Sequence, residues 1–237
     1  PWGKLFHELE PAVFKESSYH HPVIGFRKDL DNMKYENMVQ FYKDYYGPNN
    51  ATLVVVGDVK KDAAFARITE LFGRIEKVKE AVPPKMPEPP QAKEERAAFR
   101  SDKVGTATDI QLDVLSQILS SGKDSRLYKR LVIKDRACTD VSAYNDSRKH
   151  DGAFFVLAEL QDKAEPSKTE EAILDELEKL KKEGVGDREL LKAKNIIAAI
   201  FVFSKERKYS LADDIAKCEA FGASYYIEEY LPRVAAV

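Results

Sequence analysis

The chain has 237 residues, of which 43% are hydrophobic and 33% charged, enough apolar content for one large core or two smaller ones. Its 38 Lys and Arg residues nearly balance 40 Asp and Glu residues, and the net charge of −2 excludes the basic surface that nucleic acid or anionic lipid requires. The longest apolar run, around 196–203, is too short for a membrane span, and two cysteines, Cys138 and Cys218, exclude a disulfide framework while leaving a single bridge open.

The first 46 residues have the spacing of two amphipathic helices. Residues 4–15 repeat apolar side chains every three or four positions, and a second helix is predicted near 33–46. The opening Pro1-Trp2-Gly3 resembles the entry to a helix more than a natural start, which predicts that the chain is a fragment of a longer protein. The apolar face of the second helix comprises Tyr35, Met38, Val39, Tyr42 and Tyr46.

A helix end, a turn and a strand then follow one another without a gap. The sequence Gly-Pro-Asn-Asn at 47–50 ends the helix, because proline cannot continue it and Gly and Asn tolerate left-handed turns. The β-branched stretch 52–56 predicts a strand that is covered on both faces. A further helix is predicted over 61–72, ended by Gly73.

A proline-rich segment separates two parts of the chain. Five prolines between residues 81 and 91 favour extended backbone and remove amide donors, which is typical of an interdomain linker. We therefore expect a first domain over 1–80, a linker over 81–95 and a second domain over 96–237.

Two helices and two strands are predicted after the linker. One helix covers 110–119, and a second begins near Ser125. Residues 141–144 and 153–160 have the composition of strands, and the polar run 145–147 is the turn signal between them. We therefore expect a sheet in this part of the chain.

The last third of the chain is predicted to be helical. Residues 167–170 match a capping box, and the helix that follows is expected to end at Gly184. Asp187 can cap the next helix, and a third is predicted over 209–221, ended by Gly222. Together the elements indicate an α/β fold of the α+β type.

The four histidines do not form a zinc-peptidase motif. Such a site needs H-E-x-x-H or the inverted H-x-x-E-H, with two imidazoles one helical turn apart. His7 begins an H-x-x-E match, but Pro11 stands where the second histidine is needed, so an exposed helix face is the better interpretation. His20 and His21 are adjacent, so their side chains diverge, and His150 belongs to a charged hairpin tip. The sequence predicts no metal ligand and no catalytic residue in this chain.

Three other active-site motifs are incomplete or absent. The strand-like run at 54–58 is not followed by G-x-G-x-x-G, so a dinucleotide site is rejected. Residues 122–125 lack the first glycine of a phosphate-binding loop, and a turn between helices is the better interpretation. No G-x-S-x-G nucleophile elbow occurs.

Four segments in a fixed order carry a resemblance that covers most of the chain. Residues 1–14 and 21–30 are followed by 45–59, which reads Y-Y-G-P-N-N-A-T-L-V-V-V-G-D-V, and by 122–128, which reads G-K-D-S-R-L-Y. This series resembles the pitrilysin/insulinase (M16) family of zinc metallopeptidases. The family has Y-x-P-x-N-A-T-L-V-V-V-G-D-V and G-x-x-S-R-L-Y at the last two positions.

The resemblance implies two homologous M16-type α/β domains, each with an antiparallel-rich sheet packed by helices. In that scheme residues 1–80 are only the C-terminal part of the zinc-bearing domain, and 96–237 form most of the second domain. The inverted zinc motif and its downstream glutamate ligand would precede Pro1. Zinc is therefore expected in the parent protein and not in this segment.

The resemblance also places a substrate-binding pair outside this chain. Many M16 halves that face the zinc supply an arginine and a tyrosine seven residues apart, which hold the substrate carbonyl and stabilise the oxyanion. The corresponding positions here are Val132 and Thr139. A second M16-type half, in a homo- or hetero-oligomer, is therefore expected to supply the pair.

The sequence thus supports two hypotheses of function. The first is a fragment, inactive by itself, of a zinc-dependent endopeptidase that cleaves peptide substrates with zinc-activated water. The second is a non-catalytic M16-like subunit that has a structural or substrate-presenting role. No nucleic acid partner and no membrane span are expected, and the likeness to exported bacterial relatives suggests the periplasm.

Overall fold

The computed structural model describes residues 2–79, 88–89, 99–224 and 226–237. The chain divides into two compact units, the first formed by residues 1–97 and 206–224 and the second by residues 98–205 and 225–237. Within the described ranges, no helix is both long and apolar enough to cross a bilayer. The predicted linker, 81–95, lies outside the described residues except for Glu88 and Pro89, and the domain boundaries stay a prediction.

The first unit is built from helices. They are α1 (Trp2–Val13), α2 (Arg27–Asp31), α3 (Tyr35–Tyr45), α4 (Lys61–Phe72) and α8 (Lys208–Phe221), with short 3-10 turns at Ser18–His20 and Pro48–Asn50. The helices predicted over 4–15, 33–46, 61–72 and 209–221 are thereby confirmed, and Gly73 follows α4 as its cap.

A small core forms where α1 ends. Leu9, Val13 and Phe14 are buried, and the Phe14 ring meets Tyr19 edge-on with centroids 5.4 Å apart. Ser17 is also buried, and its Oγ accepts a hydrogen bond from the Tyr19 amide. The turn after α1 is therefore held by the ring contact of Phe14 with Tyr19 and by the hydrogen bond from the Tyr19 amide to Ser17.

The strand predicted over 52–56 is wrong for this chain. These residues have no regular secondary structure, and Leu53 and Val55 are 58% and 48% exposed. A strand needs neighbouring backbone to complete its hydrogen-bonded ladder, and the sheet found among the described residues lies in the other unit. A β-branched composition favours a strand but cannot supply that neighbour.

The apolar faces of α3 and α4 are exposed. On α3, Tyr35, Met38 and Tyr42 are each more than half exposed, as is Phe65 on α4. Two ring pairs stack along one side of α3, Phe41 with Tyr45 and Tyr42 with Tyr46. Both helices have the predicted amphipathic spacing, but their apolar faces are exposed to solvent in this chain.

The second unit combines a sheet with long helices. Its elements are β1 (Phe99–Ser101), α5 (Ala107–Ser120), a π-helix (Tyr128–Lys134), β2 (Cys138–Ser147), β3 (Gly152–Leu160), α6 (Pro166–Glu183), α7 (Asp187–Ser204) and α9 (Tyr226–Ala236). This helix-rich arrangement with an antiparallel sheet confirms the predicted α+β class.

The sheet has the order β1-β3-β2, and both pairings are antiparallel. The two predicted strands are confirmed, but 145–147 belong to β2 and are not the turn. Ser147 pairs with Gly152, and the Arg148 amide donates to the Asp151 carbonyl, which closes the hairpin. Strand pairing therefore overrides the turn preference of the Asn-Asp-Ser run.

Helix α5 lies at the centre of the second unit and contributes to two cores. Toward the sheet, Leu119 packs with Leu127, Leu131, Cys138, Val141, Ala143 and Ala172. On its other side, Ile110, Val114 and Ile118 pack with Ala193, Ile197 and Val234 of α7 and α9. The position of α5 thus fixes both the sheet and α9.

The helix ends in the second unit match the sequence in part. Gly184 has φ 74° and ends α6 as predicted, and in the first unit Gly222, with φ 71°, does the same for α8. The capping box at 167–170 is wrong, because Glu165 is the cap and Pro166 takes the first helical position. Asp187 is the first residue of α7 and not its cap, since Gly186 precedes it in extended geometry.

Candidate functional site

The adjacent histidines have separate partners. His20 Nδ1 lies 2.6 Å from the Ser17 carbonyl oxygen, whereas His21 Nε2 lies 3.2 Å from Asp29 Oδ2. Their rings are inclined at 81°, so they diverge as the sequence predicts. Neither pairing presents two imidazoles to one point.

The remaining histidines make no metal site either. His7 meets the edge of Phe26 with ring centroids 5.7 Å apart, and His150 lies in the loop between β2 and β3. Among the described residues, no group of three or more His, Cys, Asp or Glu side chains is arranged to hold an ion. The resemblance places the zinc ligands before Pro1, and the donors of the described residues form no other zinc site.

The two positions that the resemblance assigns to the arginine–tyrosine pair carry small side chains. Val132 lies on the π-helix and packs against the core around Leu131. Thr139 lies at the irregularity of β2, where its Oγ1 donates to the Glu159 carbonyl at 3.2 Å. Neither side chain can donate a charge-assisted or phenolic hydrogen bond to a substrate carbonyl.

A cavity of about 560 Å³ lies between the π-helix, the turn before β2, the segment after β3 and the first turns of α6. Arg136 at its rim has φ 52°, the single non-glycine residue in the described ranges with a left-handed backbone. Arg130 Nε donates to Asp135 Oδ2 at 2.5 Å, and Lys168 pairs with Glu165 at 3.0 Å. Because its acids and bases lie side by side, the cavity favours no single class of charged ligand.

The largest pKa shifts belong to a buried network that the sequence pattern does not predict. Asp109 is fully buried and accepts hydrogen bonds from the Gly105 amide at 2.7 Å and Asn145 Nδ2 at 2.7 Å. Asn145 Nδ2 also donates to Asp113 Oδ1 at 3.1 Å, and the Tyr230 hydroxyl donates to Asp113 Oδ2 at 2.8 Å. Two carboxyl groups on α5 thus share one amide from β2 and are tied to α9.

The network changes the acidity of its members. Burial raises the pKa of Asp113 to about 6, against the hydrogen bonds from Tyr230 and Asn145, while the charge of Asp109 adds to the rise. Burial and the same carboxylates raise the pKa of Tyr230, which stays protonated and donates. Asn145 Oδ1 is buried without a hydrogen-bond partner. The spacing of Asp109 and Asp113, four residues apart among inward-facing apolar positions, was the signal that could have revealed the network.

The arginine of the G-K-D-S-R-L-Y segment has a structural partner. Arg126 donates to both carboxylate oxygens of Glu189 on α7, at 2.8 and 2.6 Å, and to the Gly184 carbonyl at 3.0 Å. This bidentate contact holds the pKa of Glu189 below its usual value. The motif therefore fixes the start of the π-helix against the turn between α6 and α7.

The family model described as "Peptidase M16 inactive domain" matches residues 32–197, which begin in the first unit and end in α7. The chain belongs to the M16 peptidase family. This M16 chain is 28% identical over 251 residues to the zinc protease PqqE of Helicobacter pylori, covering 98% of the chain and 56% of that protein. It spans about half the length of the curated relatives it matches, which are all named zinc proteases.

Solved structures share the whole fold of the M16 chain. A protease from Helicobacter pylori superposes with a TM-score of 0.91 at 25% identity, covering all of this chain and 61% of that one. A chain of complex III2 from Candida albicans superposes with a TM-score of 0.83 at 18% identity, again covering all of this chain and 61% of that one. The Helicobacter pylori protease is thus similar to this chain in sequence and fold, whereas the complex III2 chain is similar in fold alone.

Proposed function

We propose that this chain is part of an M16 zinc-dependent endopeptidase whose metal site and catalytic residues are carried by the rest of the parent protein. The relatives named zinc proteases extend well beyond the matched region. The histidines and carboxylates of the described ranges form no zinc site. In this proposal the chain forms a structural part of the parent enzyme, and by itself it does not hydrolyse peptides.

The observation that carries the proposal is the open apolar surface of the first unit. Tyr42, Tyr46 and Leu53 are 63%, 64% and 58% exposed, and Val55 is 48% exposed. Folded proteins cover apolar surface of this kind with further structure. We expect the part of the parent outside this chain to cover it and to pair with the backbone of 52–56 as a strand.

The side chains at positions 132 and 139 support assigning this chain to the zinc-bearing half of the proposed peptidase. The Val132 side chain has no hydrogen-bond donor, and the Thr139 hydroxyl donates to the Glu159 carbonyl, so in this proposal a facing half donates the hydrogen bonds that the oxyanion requires. In this proposal the half that lacks the arginine–tyrosine pair is the half that carries the zinc site of the parent. The working enzyme therefore needs a second M16-type half and takes extended peptides as its substrates.

The proposal is tested on the full-length parent together with this chain alone. We expect the parent to contain zinc, to cleave an internally quenched extended peptide, and to lose that cleavage with a chelator and regain it with added zinc. The isolated chain should show neither zinc nor cleavage. A parent that carries an intact H-x-x-E-H motif and zinc but cleaves no peptide contradicts the proposal.

The second candidate is a non-catalytic M16-like subunit with a structural or substrate-presenting role. Its support is the fold alone, since the whole of this chain superposes on 61% of a chain of complex III2. The sequence that precedes this chain in the parent distinguishes the candidates, because H-x-x-E-H is present in one and decayed in the other. In the second case the purified parent would form a stable complex without zinc.

A further inference from the structure

The turn that follows α1 presents three successive backbone amides to one carboxylate. The Lys15 amide donates to Glu88 Oε1 at 2.8 Å, and the Glu16 and Ser17 amides donate to Glu88 Oε2 at 2.9 and 2.8 Å. The contact joins positions 71 to 73 residues apart, both of which belong to the first unit. Successive amides that converge in this way form an anion-binding nest.

The nest is rigid because the residues that carry it are anchored. Phe14, directly before it, is fully buried, and its amide still donates to the Glu10 carbonyl. Ser17, at its other end, is 4% exposed, and its carbonyl accepts from the His20 amide at 3.1 Å. Both ends of the nest are therefore held by contacts that do not involve Glu88.

We propose that the amides of Lys15, Glu16 and Ser17 form a carboxylate-binding site that Glu88 fills from its own chain, which fastens Glu88 to the turn after α1. Both carboxylate oxygens are used, and hydrogen bonds to a charged acceptor are stronger than neutral ones. A carboxylate from another molecule can occupy the same amides after Glu88 has left. The site is independent of the peptidase assignment, because it uses no residue of that proposal.

The direct test follows the three amides by NMR in the intact chain and in Glu88→Ala. We expect the variant to show about tenfold faster hydrogen exchange at these amides, the loss expected for one hydrogen bond each. Added sodium acetate should shift the three amides saturably in Glu88→Ala and leave them unchanged in the intact chain. Amides that exchange equally in both proteins, or that ignore acetate in the variant, overturn the proposal.

Two further variants separate the site from a general loss of structure. Glu76→Ala removes another exposed glutamate of the first unit and should leave the three amides unchanged. Glu88→Gln keeps the side-chain volume but removes the charge, so its exchange rates should lie between those of the intact chain and Glu88→Ala. If Glu88→Ala does not fold, the intermediate rates of Glu88→Gln carry the test, and rates equal to those of the intact chain overturn it.

Discussion

The hydroxyl of Tyr230 on α9 donates a 2.8 Å hydrogen bond to Asp113 Oδ2 on α5, which ties the last helix to the centre of the second unit. The carboxyl group is also bound by Asn145 of β2. Burial opposes the charge of Asp113 and raises its pKa to about 6. A single side chain therefore couples the packing of three elements to pH.

We expect Asp113→Asn to flatten the pH dependence of stability between about pH 4 and pH 6. The unfolded chain releases this proton near 3.8 and the folded chain near 6, so the group stabilises the fold below about pH 4 and loses that contribution as pH rises through 6. The loss from this group amounts to roughly 2 to 3 kcal/mol. Urea unfolding at a series of pH values measures it as a difference between the intact chain and the variant.

The control for this prediction is Asp162→Asn, which changes an exposed aspartate in the turn after β3. It should reproduce the pH profile of the intact chain. Parallel profiles for Asp113→Asn and the intact chain would show that Asp113 does not titrate in this interval.

Tyr230→Phe should lower stability at neutral pH, because it leaves the buried Asp113 carboxylate with one hydrogen-bond donor fewer.

Arg126→Met is expected to destabilise the second unit by about 1 to 3 kcal/mol, since Glu189 then loses a bidentate partner in a partly buried place. The Arg126 guanidinium lowers the pKa of Glu189 below 4.5, so this stabilisation is present above that pH and is lost as pH falls through the lowered pKa. Thermal unfolding at neutral pH measures the change. Arg188→Met, at an exposed position of α7, should change stability by less than about 0.5 kcal/mol.

Arg136→Gly is expected to stabilise the chain by about 1 kcal/mol. Arg136 has φ 52°, where an L-residue with a Cβ is strained and glycine is not. The matched control is Arg188→Gly near the start of α7, where glycine should be destabilising by up to about 1 kcal/mol. Denaturant midpoints that move in the same direction for both variants would contradict the strain argument.

Most of the helices can be predicted from local sequence, because the apolar spacing and the stop residue of each helix lie within its own segment. The spacing of Ala64 and Ile68 and the stop at Gly73 describe α4 without reference to any other element. The segment 52–56 differs, since its β-branched side chains require a neighbouring strand that the described part of the first unit does not supply. Helix α9 was missed because Pro232 interrupts a short apolar pattern, although Val234 is buried against α5.

The candidate site could be predicted only where a residue's role is local. The divergence of His20 and His21 follows from adjacency alone. The network around Asp113 could not be assembled, because Asn145 and Tyr230 approach it through tertiary packing. The polar run 145–147 moreover predicts a turn, whereas Asn145 lies in β2, and this position directs its amide toward α5.

Gly152→Ala should be among the most damaging small substitutions in the second unit. A Cβ at this position would lie 2.4 Å from Ser101 Oγ and 2.7 Å from the Asp102 carbonyl oxygen, where three strands meet. We expect a loss of roughly 1 to 3 kcal/mol, because the backbone oxygen cannot move without breaking the pairing of β1 with β3. Gly186→Ala has no heavy atom within 4 Å of its new Cβ and serves as the control, with a loss of less than about 1 kcal/mol expected because alanine is a poorer N-cap of α7 than glycine. Chemical denaturation of both variants decides the matter: equal midpoints would mean that β1 does not pack on Gly152 in solution.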